Sequence, residues 1–232
     1  MLIVITGASR GIGKAIAEKF ASPENTLLLC SRSETNLYRA LQDLQEAFPQ
    51  TRWKARPADL SVPNDIKEFA EWVLEQGIPD IIVNNAGQFI PGSVHNEPDG
   101  ALEAMLQQNL LSAYHLTRYL LPAMMARKSG MIFNICSIAS MQAYHNGGAY
   151  GISKHALLGF SRNLREEMKP FGIRVTAVIP GAAYTDSWEG AGIDRNRLME
   201  ASDIATMVFA ASTLTDRACV EDIVLRPQLG DL

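Results

Sequence analysis

Leu2-Ile3-Val4-Ile5-Thr6-Gly7-Ala8-Ser9-Arg10-Gly11-Ile12-Gly13 is the stretch that decides the fold. Four apolar residues, mostly β-branched, run into a turn with glycines at 7, 11 and 13. Ile12, Ile16 and Phe20 then recur at helical spacing. The pattern predicts a buried strand, a tight turn and a helix over Gly11 to Phe20. Gly7 permits the turn out of the strand, Gly11 lets backbone approach a pyrophosphate, and Gly13 lets the helix pack on the sheet. The free N–H groups of the helix start, together with Ser9, Arg10 and Ile12, then face an anion. The other common phosphate loop, G-x-x-x-x-G-K-[ST], is not met, because position 12 is Ile and Lys14 is not followed by Ser or Thr. A kinase or NTPase is thereby disfavoured.

Outward from this turn, apolar runs alternate with amphipathic stretches. Strands are expected over Thr26 to Cys30, Trp53 to Arg56, Asp80 to Asn84, Met131 to Cys136, Arg174 to Ile179 and Asp222 to Leu225. Helices are expected over Glu34 to Phe48, Ile66 to Gln76, Leu102 to Arg127, Ala149 to Met168 and Asp203 to Ala211. Pro63 suits a first helical turn, whereas Pro122 is expected to bend or interrupt its long helix. Doubly buried strands alternating with helices imply a parallel sheet between two helical layers. No linker, repeat or low-complexity stretch divides residues 1–232, so one α/β domain is expected.

Composition narrows the function classes. The formal net charge is −4 and there is no long basic run, so nucleic acid and anionic membranes are not expected partners. No apolar run approaches the ~18 residues of a membrane span. Met1 is followed at once by an apolar strand with no basic n-region, so no signal peptide is expected. Cys30, Cys136 and Cys219 are odd in number and far apart, which suggests neither a disulfide framework nor a metal site. A reducing cytoplasm is the expected compartment.

Tyr150-Gly151-Ile152-Ser153-Lys154 carries the first chemical signal. Residues four apart share a helix face, so a phenol lies one turn from an ammonium. A fixed positive charge favours the phenolate, and such a pair can exchange a proton. Ser137, at a strand end thirteen residues earlier, offers a hydroxyl donor. Cys136 beside it has no evident acid–base partner and points to the core by strand alternation.

Thr6-Gly7-x-x-x-Gly11-Ile12-Gly13, Asn84-Asn85-Ala86-Gly87, Asn109, Ser137, Tyr150-x-x-x-Lys154 and Pro180-Gly181-x-x-x-Thr185 occur in the order and spacing of the short-chain dehydrogenase/reductase family, which the chain resembles along almost its whole length. The resemblance implies a Rossmann-type domain with a seven-stranded parallel sheet in order 3-2-1-4-5-6-7. It implies a catalytic set of Asn109, Ser137, Tyr150 and Lys154 that reduces a carbonyl by hydride transfer. Tyr150 would donate the proton, Ser137 would stabilise the developing oxyanion, and Lys154 would also hold the nicotinamide ribose. Asn109 would hold a relay water. Asp59 and Leu60 match positions that bind adenine, and Asn85, Ala86 and Gly87 frame the adenosine half. Pro180, Gly181 and Thr185 match the carboxamide-binding segment.

Cofactor choice is read where the second strand ends, at Cys30-Ser31-Arg32. An acid there would bind a ribose 2′-hydroxyl, whereas a basic residue suits a 2′-phosphate. Ser31 stands at the acid's position, and Arg32 with Arg10 can clamp a phosphate. NADP(H) is therefore expected over NAD(H), with Glu34 read as an acid favouring its helix start. Phe89, Tyr144, Tyr184 and Trp188 are the expected substrate wall, with a short substrate loop at about residues 184–201. The stretches at 180–188 and 220–227 look like bacterial sepiapterin-reductase-type members, which implies a pterin side-chain ketone or a small dicarbonyl. A 3-oxoacyl thioester or a general alcohol or carbonyl substrate is the alternative within the class. An NADP-binding scaffold or redox-sensing regulator with weak catalysis is the alternative outside it. The resemblance further implies a homodimer or homotetramer.

Overall fold

The computed structural model describes residues 1–185, 192 and 194–230. Its strands are β1 (Leu2–Thr6), β2 (Thr26–Ser31), β3 (Arg52–Pro57), β4 (Ile81–Asn84), β5 (Gly130–Ile135), β6 (Ile173–Pro180) and β7 (Asp222–Leu225). They form one sheet in the expected order β3-β2-β1-β4-β5-β6-β7, with every neighbouring pair parallel. The helices are α1 (Gly11–Lys19), α2 (Glu34–Ala47), α3 (Pro63–Gln76), α4 (Ala101–Leu106), α5 (Ser112–Arg127), α6 (Gly148–Met168) and α7 (Ala201–Ser212). Among the described residues no helix is long and apolar enough to cross a membrane.

The two-residue period of the strands divides their side chains between two cores. Ile3, Ile5, Leu27 and Leu29 pack with Phe20 at the end of α1, Leu37 of α2 and Ile204 of α7. Val4, Leu28 and Ile82 point the other way, toward Phe69 of α3, Leu120 of α5 and Leu164 of α6. Burying one such side chain contributes about 1.5–3 kcal/mol, so each helical layer is held chiefly by apolar packing on the sheet. Local signals set the helix starts: Ser33 accepts from Asn36 N–H at 3.3 Å to cap α2, and Pro63 opens α3.

The long helix expected over 102–127 is broken, but not at Pro122. Pro122 lies inside α5 without ending it. A proline there costs ~3 kcal/mol, which the burial of Leu116, Leu120 and Met124 on the same helix outweighs. The break is a π-helical turn over Gln107–Leu111, with Asn109 at its centre and Ser112 N–H bonded back to Gln107 O. Such turns recur at functional sites because they redirect a side chain within a helix.

The sheet order reverses direction between β1 and β4. Crevices at such switch points, outside the carboxyl ends of the strands, are where this architecture binds ligands.

Candidate active site

Polar bonds at the switch point tie the ends of β1 and β4 together. Thr6 Oγ1 accepts from Asn85 N–H at 3.0 Å and Ala86 N–H at 2.9 Å. Asn85 Nδ2 donates to Thr6 O at 2.9 Å and Gly7 O at 3.1 Å. Gly7 has φ +64°, and a Cβ there would stand 2.8 Å from Asn85 Nδ2, so both conformation and space call for glycine. Ser9 and Ser31 join their hydroxyls at 2.9 Å, fastening the turn to the end of β2.

A cavity of about 630 Å³ extends from this turn along the ends of the strands. One end is lined by Ser9, Arg10, Ser31, Arg32 and Asn36. Gly11, Ile12, Ala86 and Gly87 line its middle, and Ser137, Tyr150 and Lys154 its other end. Its described lining residues include two arginines, a lysine and no carboxylate.

Tyr150 and Lys154 stand on the first turns of α6. Lys154 is buried, and its Nζ donates to Ile135 O at 2.8 Å and lies 5.8 Å from the centroid of the Tyr150 ring. Ser137 follows β5 and caps a 3-10 turn over Ile138–Ser140. Its Oγ accepts from Ala139 N–H at 3.2 Å, so the hydroxyl hydrogen is left for an oxygen in the cavity. Asn109 Oδ1 accepts from Gln88 N–H at 2.7 Å, while Nδ2 donates to Gln88 O at 3.0 Å and Ser153 Oγ at 2.9 Å. Ser153 is fully buried and donates to Tyr150 O at 2.8 Å. The π turn is thereby joined to α6 beside the phenol. Asn109, Ser137, Tyr150 and Lys154, spread over 45 residues of sequence, thus meet in one region of the strand ends.

A family model described as short chain dehydrogenase matches residues 1–196. The chain belongs to the short-chain dehydrogenase family. It is therefore an oxidoreductase. This dehydrogenase is 32% identical over 240 residues to a sepiapterin reductase of Chlorobaculum tepidum, covering 100% of this chain and 98% of that protein. Among solved structures it resembles a metagenomic short-chain oxidoreductase in complex with NADP, at 33% identity and TM-score 0.84, covering 98% and 97% of the two chains. It also resembles an alcohol dehydrogenase from the archaeon Thermococcus sibiricus complexed with 5-hydroxy-NADP, at 28% identity and TM-score 0.88, covering 98% and 96%.

In this dehydrogenase the remaining expected residues are distributed unevenly. Phe89 and Tyr144 line the cavity, as do Pro180, Gly181 and Thr185. Thr185 lies over the glycine turn, its Cγ2 3.2 Å from where a Cβ on Gly11 would stand. Burial pushes the Tyr144 phenol up to about 12, with the neighbouring Tyr150 adding to the rise. Leu60 and Ala58 line the groove, whereas the Asp59 carboxylate accepts from Ser61 N–H at 3.0 Å and Ser61 Oγ at 2.7 Å. Tyr184 is covered by the Arg195 guanidinium, 4.4 Å from its ring centroid. Trp188 lies outside the described residues. Cys136 is a core thiol, pushed up to about 11 by burial. No cluster of metal-ligating side chains occurs among the described residues. Gln108 and Ser153 carry no sequence signal of their own, whereas Gln88 and Gln142 fall in the two stretches, 88–92 and 141–146, from which substrate contacts are expected; Gln88, Gln108 and Gln142 line the cavity.

Proposed function

We propose that this dehydrogenase is an NADPH-dependent carbonyl reductase whose substrate is a pterin side-chain ketone or a small dicarbonyl. The cavity's donor set carries the cofactor assignment. Two guanidiniums flank Ser9 and Ser31 at one end, and no carboxylate is among its described lining residues, which fits a 2′-phosphorylated ribose better than a free 2′-hydroxyl. Backbone of the glycine turn suits the pyrophosphate, and the volume of about 630 Å³ is ample for an elongated ligand. The NADP complexes of similar chains support the same choice.

When bound, NADPH supplies the hydride. Tyr150 gives its phenolic proton to the carbonyl oxygen. Ser137 donates its free hydroxyl hydrogen to the same oxygen and stabilises the charge developing there. The Lys154 ammonium, held by Ile135 O, stands 5.8 Å from the centroid of the Tyr150 ring and places a positive charge beside the phenol. Asn109 holds Gln88 and Ser153 in place around α6.

Substrate class is read from the wall beside Tyr150. Phe89 and Tyr144 offer ring faces, and Gln88, Gln108 and Gln142 offer neutral amides. A flat, uncharged, hydrogen-bonding ring suits these groups better than a charged chain. Full-length similarity to a sepiapterin reductase supports the pterin. A homodimer or homotetramer formed through residues 101–127 and α6 accompanies this reading, supported by exposed Tyr119 and Ile152 on those helices. The deciding experiment is NADPH consumption with sepiapterin, acetoacetyl thioesters and small diketones side by side. Preferential turnover of sepiapterin supports the pterin assignment. Activity on none of the pterins, with turnover of the thioester, replaces it with a 3-oxoacyl reductase.

A further inference from the structure

Glu97 lies outside the catalytic set and 52 residues before Ala149, the α6 residue it touches. The first N–H groups of any helix lack partners within it. In α6 one of them, Ala149 N–H, donates to Glu97 Oε2 at 3.0 Å. A loop carboxylate therefore closes the helix on the residue directly before Tyr150, where the helix dipole favours a negative charge.

The surrounding chain is built for this contact. Gly92 pairs with Gly147 in a short parallel bridge, and Gly92 N–H donates to Asn146 O at 3.2 Å. Ser93 Oγ donates to Asn146 Oδ1 at 2.8 Å. A Cβ on Gly148 would stand 2.5 Å from Glu97 Oε2 and 2.6 Å from Gly92 O. A Cβ on Gly92 would stand 2.8 Å from Glu97 Cβ. Both glycines are thus required for the loop to lie against the helix start. Just upstream in the same loop, Phe89 sets its ring edge-on against Tyr150. One segment consequently holds the phenol by its ring and by the backbone immediately before it.

We infer that Glu97 is a positioning residue for the reaction. Its carboxylate straps the 92–97 loop to the first turn of α6 and fixes where the Tyr150 hydroxyl points. The inference rests on the reading of Tyr150 as proton donor. Ångström-scale misplacement of a catalytic group costs up to about 100-fold in rate, so Glu97→Ala is expected to lower kcat by about 10- to 100-fold. NADPH affinity, read by fluorescence titration, stays at the wild-type value, because the strap touches no cofactor-facing residue. Glu97→Gln keeps an acceptor oxygen and is expected to recover most of the rate. Gly148→Ala, which sets a methyl group against Glu97 Oε2, should repeat the Glu97→Ala defect if the latter does not fold. Wild-type kcat in Glu97→Ala overturns the inference, as does equal loss in Ala and Gln variants or a loss matched by weakened NADPH binding. Tyr150→Phe is measured alongside. If it is inactive while Glu97→Ala is unimpaired, only the strap is rejected; if it is active, the proton-donor reading itself falls.

Discussion

Phe89 meets Tyr150 edge-on, with ring centroids 4.9 Å apart and planes at 79°. The loop that follows β4 therefore supplies both a residue of the cavity lining and a support for the phenol. Edge-to-face pairs contribute about 0.5–1.5 kcal/mol beyond their buried area. Phe89→Ala should lower kcat/KM for a ring-bearing substrate about 3- to 10-fold, at 1.4 kcal/mol per factor of ten. The KM for NADPH should not change. Steady-state kinetics with both substrates varied will show it, and an unchanged kcat/KM would remove Phe89 from the wall.

Arg32 is expected to act on the cofactor alone. Charge-assisted hydrogen bonds contribute about 1.5–3 kcal/mol, so Arg32→Ala should raise the KM for NADPH about 10- to 100-fold. NADH, which lacks the phosphate, should be used as before or better. A variant that loses both cofactors equally would show that Arg32 supports the turn and does not read the phosphate.

A buried polar network joins the sheet to two helices. Asn84 Nδ2 donates to Thr117 Oγ1 at 3.0 Å and Asn134 Oδ1 at 2.8 Å, and Asn134 Nδ2 donates to Ser161 Oγ at 2.8 Å. Asn84→Ala would strand two buried groups, each costing about 1–3 kcal/mol. For a chain of this size the midpoint of thermal unfolding should fall by roughly 4–24 °C. A shift below about 2 °C would show that water replaces the amide at little cost.

The thiols predict an alkaline weakness. Burial raises Cys136 from 9.0 to about 11, and burial raises Cys30 well above its ordinary value. The unfolded chain releases the Cys136 proton near pH 9, while the folded chain holds it to about 11. The contribution of this neutral thiol is thus complete below pH 9 and is lost as pH rises through about 11. Cys136→Ala should lose less stability than wild type between these limits in urea titrations. At pH 8, a thiol reagent should modify partly exposed Cys219 first and reach Cys30 and Cys136 only on unfolding.

Both strand-end clusters were legible because their signals are local. Gly7, Gly11 and Gly13 sit in one turn, and Tyr150 and Lys154 on one helical face. The resemblance of spaced motifs then ordered the strands. What escaped was set by contacts distant in sequence. Pro122 read as a break because local rules price its missing N–H and not the buried leucines around it. Asn109 is matched by the resemblance alone, and its bonds to Gln88 and Ser153 join segments that no local pattern connects. Glu97 and Ala149 carry no motif, and their contact accompanies the pairing of Gly92 and Gly147, which are far apart in sequence. Tyr184 is an expected wall residue from its place after β6; the Arg195 guanidinium over its ring is a contact that no spacing rule anticipates.

In the proposed reaction Tyr150 transfers the proton while the rest of the cavity holds cofactor and carbonyl. General acid catalysis contributes about 10²–10⁴ in rate, so Tyr150→Phe should lower kcat for carbonyl reduction by that factor. NADPH binding measured on the same preparation should be unchanged, because the ring and Lys154 remain. A Tyr150→Phe enzyme that binds NADPH and turns over at the wild-type rate would contradict the account.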